Sequence, residues 1–314
     1  MHDTTKQVPA DFTHRLVLID GNHLIHRAFF AVKASLTTSS GEPTNALLGF
    51  SSMLLNILER EKPDHMVVTF DEHAPTFRHE VHEEYKGTRT KAPDELYVQI
   101  PRIREMVAAF NIPIYTKAGY EADDVMGTLA VQAKKDHLVS FIVTGDMDML
   151  QLVDDHIFVV FPHKGYREPT LFDAEQVYKK YGIRPDQVVD YKALVGDGSD
   201  NIKGVFGIGP KGAIQLLQQY HTLDNVFEHL SELPDSVRTK LEKGRDDAFF
   251  SRSLAKIVTD APVIFDEPSA RLSQFDFLAL DRFFETMEMR SLSRRLKEMD
   301  GYRSMATKNQ LSLF

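Results

Sequence analysis

Nine carboxylates in this chain are spaced in a way that ordinary surface composition does not call for: Asp20, Asp71, Glu121, Asp123, Asp124, Asp146, Asp148, Asp197 and Asp200. Asp20 directly follows the apolar run Leu16 to Ile19, Asp71 follows Met66 to Phe70, and Asp146 comes two residues after Phe141 to Thr144. Glu121-Ala-Asp-Asp reads as the opening of a helix, with Glu121 and Asp124 on one face at the i, i+3 spacing and Asp123 beside them. Asp148 joins Asp146 in Thr144-Gly-Asp-Met-Asp, and Gly196-Asp-Gly-Ser-Asp-Asn adds Asp197 and Asp200 from a loop. Taken singly, an Asp between a strand and a helix is more often an N-cap. Caps do not require three acids in one turn, and gathered carboxylates repel one another unless cations keep them ionised. Hard oxygen ligands in this number suit two magnesium or manganese ions, typically ~4 Å apart in phosphodiester chemistry, which would activate water and steady the leaving oxygen.

The elements that must position these acids are legible as alternating apolar runs and amphipathic stretches. Leu16 to Ile19, Met66 to Phe70, Ile112 to Tyr115, Phe141 to Thr144 and Ile157 to Phe161 read as buried strands, with helical patterns between them and a helix after Asp173. Strand and helix alternating in this way predicts an α/β fold, a parallel sheet with flanking helices, whose ligands gather at the carboxyl ends of the strands. After about Tyr181 the strand signals fade. Asp186 to Val195, Ala213 to Tyr220, Leu223 to Leu230 and Ser236 to Ile257 predict a small all-α domain. The expected division is a catalytic domain over 1–180, a helical domain over 181–298 and a polar, aperiodic flexible tail over 299–314.

Bulk composition narrows the class. The 314 residues, 42% hydrophobic, support a sizeable core. There are no cysteines, which excludes disulfides and thiolate metal sites and leaves oxygen or imidazole as ligands. Met1 to Arg15 lacks an apolar signal core and no later run is long enough for a membrane span, so a cytoplasmic protein without membrane partners is expected. The net charge of −9 argues at first against a polyanionic partner. Setting the nine clustered acids aside, however, leaves 37 of the 46 against 37 Lys and Arg, and bound cations would invert the sign of the site itself.

Two further segments bear on ligands. Pro75 to Tyr97 carries Arg78, Lys86, Arg89 and Lys91 without the apolar period of a core helix. Gly204-Val-Phe-Gly-Ile-Gly-Pro-Lys-Gly is a short glycine hairpin leading into a helix, where exposed N–H groups and the helix amino end can meet phosphates.

The motifs together resemble the 5′-nuclease domain at the amino end of bacterial DNA polymerase I, related to phage and eukaryotic flap endonucleases. The resemblance runs from about Leu16 to Leu296 and rests on Asp20-Gly-Asn, Thr69-Phe-Asp, Phe77-Arg-His, Tyr85-Lys-Gly-Thr-Arg, Gly119-Tyr-Glu-Ala-Asp-Asp-Val, Thr144-Gly-Asp, Gly196-Asp-Gly-Ser-Asp-Asn and the glycine hairpin. It implies a 5′-nuclease or PIN-like fold with a helix-hairpin-helix domain, and a flap endonuclease and 5′→3′ exonuclease active in primer removal and repair. It assigns Asp20, Asp71, Glu121 and Asp123 to a first ion with Asp124 close by, Asp146, Asp148 and Asp200 to a second, and Asp197 to the completion of the cluster. It makes residues 75–98 a helical arch over a single-stranded 5′ end, with Lys86 and Arg89 stabilising charge on the scissile phosphate, Arg27 joining them and Arg78 contacting DNA. Phe29, Phe77 and Tyr85 are available for base stacking, although core packing is the commoner role for any one of them. Gly204, Gly207, Gly209 and Lys211 would grip the duplex, with a potassium ion at the hairpin carbonyls.

The family pattern usually has Lys where Met147 stands and Leu where Met149 stands, which removes a local charge contact. Gln310, Leu311, Leu313 and Phe314 match the short peptide by which bacterial replication proteins dock on the sliding clamp, implying a monomer tethered to its junction without a polymerase domain. The rival readings are a DNA- and clamp-binding scaffold that does not cleave, and a toxin-like or RNA-processing nuclease on a related sheet. A scaffold would tolerate loss of carboxylates, and all nine are present.

Overall fold

The computed structural model describes residues 14–32, 36–72 and 74–311, with side chains described as far as 307. Strands β1 (His14–Asp20), β2 (His65–Thr69), β3 (Ile114–Tyr115), β4 (Leu138–Val143), β5 (Ile157–Phe161) and β6 (Thr170–Phe172) form one sheet in the order β3-β2-β1-β4-β5-β6. Every neighbouring pair is parallel except β5 and β6. The sheet is therefore mixed where the sequence predicts a parallel one. At three residues, β6 is too short for its side-chain alternation to register.

Alternation along the strands splits the core in two. Leu16, Leu18, Val67, Ile142, Ile157 and Val159 face one side and pack with the Ala122–Lys135 helix and with helices after residue 183. Val17, Ile19, Met66, Val68, Phe141, Val143 and Val160 face the other, against the Asn45–Glu61 and Ile100–Ala109 helices. Because every central strand is buried on both faces, it reads as a continuous apolar run, which is why the sequence reveals it.

Two expectations about helices change. Ser236 to Ile257 is two helices, Asp235–Lys243 and Arg245–Ala255, broken at Gly244. A Cβ there would lie 2.8 Å from Val205 Cγ1, so the break lets the glycine hairpin pack against the corner. The expected flexible tail is helical over Asp300–Leu311. Met299, Tyr302 and Met305 recur every three residues and pack against the second core, and the Tyr302 hydroxyl donates to Asp281 at 3.3 Å. The chain from Phe275 to Leu296 returns to that same core, across the sheet from the helices of 183–257. Leu313 and Phe314, with the side chains of Gln310 and Leu311, lie outside the described residues.

Candidate active site

The sheet order reverses between β1 and β4, and in open α/β sheets the crevice at such a point, beyond the carboxyl ends of the strands, is where ligands bind. Asp20 closes β1 there and caps the Gly21–Ala31 helix, accepting from the His23 N–H at 2.9 Å and the Thr144 hydroxyl at 2.7 Å. Asp71, just past β2, accepts from the Ala122 N–H at 2.8 Å and from the Asn22 amide. Asp146, just past β4, accepts from the Asp148 N–H at 2.9 Å. Capping and clustering are thus the same act: backbone N–H groups aim each carboxylate into the crevice.

The electrostatics join these acids into one set. Burial pushes Asp20 up to about 7, with Asp71 and Asp146 adding to the rise. Burial also raises Asp148 to about 7, with Asp146 and Asp200 contributing. Asp123 is held well above the usual carboxylate range by burial, then by Asp146 and Asp20. Asp148, Asp197 and Asp200 place carboxylate oxygens within 4.8 Å of one another. Among the described residues they are the group of acids drawn this close.

The loop that supplies Asp197 and Asp200 is pinched at its base by two glycines. Gly196 at φ +81° and Gly204 at φ +64° pass so closely that a Cβ on Gly204 would lie 2.3 Å from the Gly196 nitrogen. Asp197 and Ile202 exchange backbone hydrogen bonds of 2.8 Å across this neck. Gly204 is buried and its N–H approaches Ser251 Oγ at 3.4 Å, so its role is closure of the loop, in place of the phosphate contact expected for it. Gly207, Gly209 and Lys211 are exposed as expected.

Two residues escape the sequence reading in opposite ways. Lys192, on the Val188–Val195 helix, is 9% exposed and makes close ion pairs with both Asp148 and, at 2.6 Å, Asp197. Burial alone would raise Asp197, but the Lys192 and Ser199 contacts bring it down to about 2. A lysine in a short helix whose only other charged residue is Asp190 is the signal that could have found it. Arg78, expected on DNA, is 2% exposed and turned inward. It clasps Asp124 with two bonds of 2.7 and 2.9 Å and donates to the carbonyls of Leu254 and Lys256. Asp124 also accepts from the Val258 and Glu121 N–H groups. Its oxygens are committed, so this pair is a buried brace, and eight of the nine acids remain as candidate ligands.

The segment expected to form a helical arch is helical at Phe77–Val81 and Asp94–Tyr97 and turns between them. No regular helix spans it because residues 82–89 are strapped onto the Asp200 loop. The Lys86 N–H donates to the Asp200 carbonyl at 3.1 Å, Thr88 Oγ1 to Gly198 at 3.3 Å, and Asn201 Nδ2 to Glu84 at 3.0 Å. Lys86 Nζ sits 2.8 Å from Glu121 and Arg89 Nη2 2.5 Å from Asp200. Tyr85 takes the commoner of its two roles: it is 4% exposed and donates toward Glu121 and Asp200 at 3.3 Å, which removes its ring from bases. Phe77 packs under Arg78, and Phe29 against Phe30 and the second core. Arg27 stands close enough to His23 to lower its affinity for protons, after the larger effect of burial. His23, which the sequence reading passes over, lies on Gly145, where a Cβ would meet its Nε2 at 2.3 Å.

A crevice at a sheet's switch point, lined by eight carboxylates and flanked by cations and a glycine hairpin, defines an α/β fold built around a candidate divalent-metal site. Residues 15–182 match the 5′-3′ exonuclease N-terminal resolvase-like domain and 183–277 the 5′-3′ exonuclease C-terminal SAM fold. The chain belongs to the 5′-3′ exonuclease family. It is 47% identical over 288 residues to DNA polymerase I of Chloroflexus aurantiacus and 42% identical over 285 to that of Bacillus subtilis, covering 90% of this chain in each case. It spans 30% and 32% of those relatives. In fold it is similar to bacteriophage T5 flap endonuclease, solved with DNA and metal ions, at TM-score 0.65 and 20% identity, covering 89% of this chain and 99% of that one. The catalytic core of Rad2 in complex with DNA substrate follows at TM-score 0.56 and 18% identity, covering 91% of each chain.

Proposed function

We propose that the chain hydrolyses DNA phosphodiesters at junctions of single strand and duplex, as a 5′-flap endonuclease and 5′→3′ exonuclease using Mg²⁺ or Mn²⁺ in primer removal and repair. The observation that carries this is the gathering of eight carboxylates at one sheet edge, three of them within one ligand sphere. The donors fit hard divalent ions: all are oxygens, several are buried, and the Lys192 ammonium already lies between Asp148 and Asp197 where a cation is called for. Asp148, Asp197, Asp200 and Asp146 would hold one ion, and Asp20, Asp71, Glu121 and Asp123 the other. Bound there, the ions supply charge stabilisation to the in-line displacement and favour ionisation of the attacking water.

The chain's own residues do the positioning. The N–H groups of His23, Ala122 and Asp148 orient the carboxylates of Asp20, Asp71 and Asp146 before any ligand arrives. Lys86 and Arg89, now paired with Glu121 and Asp200, are the cations available to a phosphate entering the crevice, and Arg27 extends that positive edge along the first helix. Gly207, Gly209 and Lys211 would hold the duplex behind the cut, with the hairpin carbonyls available to a potassium ion. Gln310, Leu311, Leu313 and Phe314 would dock on a sliding clamp.

Labelled 5′-flap and nicked-duplex substrates, incubated with Mg²⁺, Mn²⁺ or EDTA, test the reading. Cleavage of the flap with either ion and none in EDTA is expected. Flap binding without cleavage under every condition would establish the scaffold instead.

A further inference from the structure

Phe206 is 96% exposed, the most exposed large apolar side chain among the described residues. Scattered exposed apolar residues are ordinary, but a whole aromatic ring held clear of the surface by a rigid turn is not. The turn is Val205 to Ile208, closed by the Ile208 N–H on the Val205 carbonyl at 3.0 Å, with Gly207 at φ +85° in the third position. That is the glycine position of a type II turn. Val205 and Ile208 are buried at 2% and 7% and anchor the turn to the helical core, which leaves the ring between them outside.

The surroundings carry positive charge. Lys240 Nζ rests 3.1 Å from the Gly207 carbonyl, Lys203 precedes the hairpin and Lys211 opens the next helix. None of these three lysines forms an ion pair among the described residues. A shallow groove of about 740 Å³ runs from Gly207 past Lys211 to Lys240.

We propose that Phe206 is a duplex contact: its ring packs on the apolar faces of deoxyribose in the minor groove, while Lys211, Lys240 and the N–H groups of Gly207 and Gly209 meet the flanking phosphates. The inference rests on the nuclease reading above and adds an apolar contact to it. Phosphate contacts position a duplex and weaken with salt, whereas apolar side chains in the minor groove contribute contacts that salt does not screen. A protein partner or a second copy of the chain would also cover a ring. Three unpaired lysines and a free helix amino end beside that ring suit a polyanion.

The chain has no tryptophan, so Phe206→Trp places a lone indole at the tip of the turn. In EDTA, where binding is read without cleavage, the indole emission is expected to change on addition of a short blunt duplex and not with one of its single strands. Phe206→Ala should weaken duplex binding about tenfold, in the range of aromatic contacts to nucleic acid, and leave the salt dependence of log K unchanged. Lys211→Ala should lower that slope by about 0.9. Wild-type affinity in Phe206→Ala together with a silent indole would overturn the inference while duplex binding by the parent chain leaves the nuclease reading standing. Concentration-dependent self-association lost in Phe206→Ala would overturn it in favour of a second copy. A parent chain that binds no duplex would remove both readings.

Discussion

The Arg78–Asp124 pair shows how little a residue's type says about its task. From sequence, an arginine in a cationic segment and an aspartate beside Glu121 read as a DNA contact and a metal ligand. In the structure each satisfies the other in the interior, and the pair ties the start of the Ala122–Lys135 helix to the chain at 254–258. Arg78→Ala would leave a buried carboxylate without its partner, a loss of about 3–5 kcal/mol in chemical denaturation. Stability within about 1 kcal/mol of the parent would refute the brace, as that is the range of an exposed pair. Asp146→Ala, by contrast, should abolish Mg²⁺-dependent cleavage and spare flap binding, since Asp146 borders both groups of acids. Cleavage at the parent rate would remove it from the site.

Two other acids of the crevice set a pH dependence. Asp20 and Asp148, raised to about 7 by burial and by their neighbours, retain protons that the unfolded chain releases near pH 4. Their contribution to stability is fully present below about pH 4 and is lost as the pH climbs through about 7. The melting temperature of metal-free protein should therefore fall between pH 4.5 and 7.5, less steeply in Asp148→Asn. Saturating Mg²⁺, which favours the ionised carboxylates, should remove most of the fall. A metal-free melting temperature that rises across this window would contradict the assignment.

At the scale of elements, legibility followed burial on two faces. The central strands carry buried, mostly apolar runs, with Asp20 closing the first and Asp71 and Asp146 lying just past the second and fourth, so the sheet and three candidate ligands could be read directly. The 82–89 segment was illegible for the opposite reason: its conformation is set by hydrogen bonds to residues 198–201, more than a hundred positions away, and no local period encodes that. Lys192 was missed likewise, because its burial is created by partners from distant loops. The pinched loop offers the sharpest element-level test. Gly204→Ala would drive a Cβ against the Gly196 backbone, so the loop must open and Asp197 and Asp200 must shift. The expected outcome is a folded sheet by circular dichroism, with the thermal stabilisation given by Mg²⁺ much reduced. Parent-like stabilisation by Mg²⁺ would show that the neck does not hold the ligands.

On the scale of the whole molecule, the charge of −9 is concentrated in function: eight acids converge on one crevice, two lysines and an arginine lean into it, and further lysines ring the hairpin. Among the described residues no helix is long and apolar enough to cross a membrane. The helices after Phe275 close the second core, so removing 277–314 should expose that core and cost solubility. Removing Gln310 to Phe314 alone should leave folding and intrinsic cleavage intact and abolish stimulation by a sliding clamp. Equal stimulation with and without those five residues would exclude the docking role.

The neck formed by Gly196 and Gly204 has one more effect. Asp200 lies within the pinched loop and Phe206 two residues past Gly204, six positions apart along the chain. On the proposed reading this short stretch would act as a ruler, setting the distance from a duplex held at Phe206 to the bond cut near Asp200, and product length should be uniform across substrates of different sequence. Lengthening that turn by a residue would move the graduation, and the scissile position along the strand should move with it.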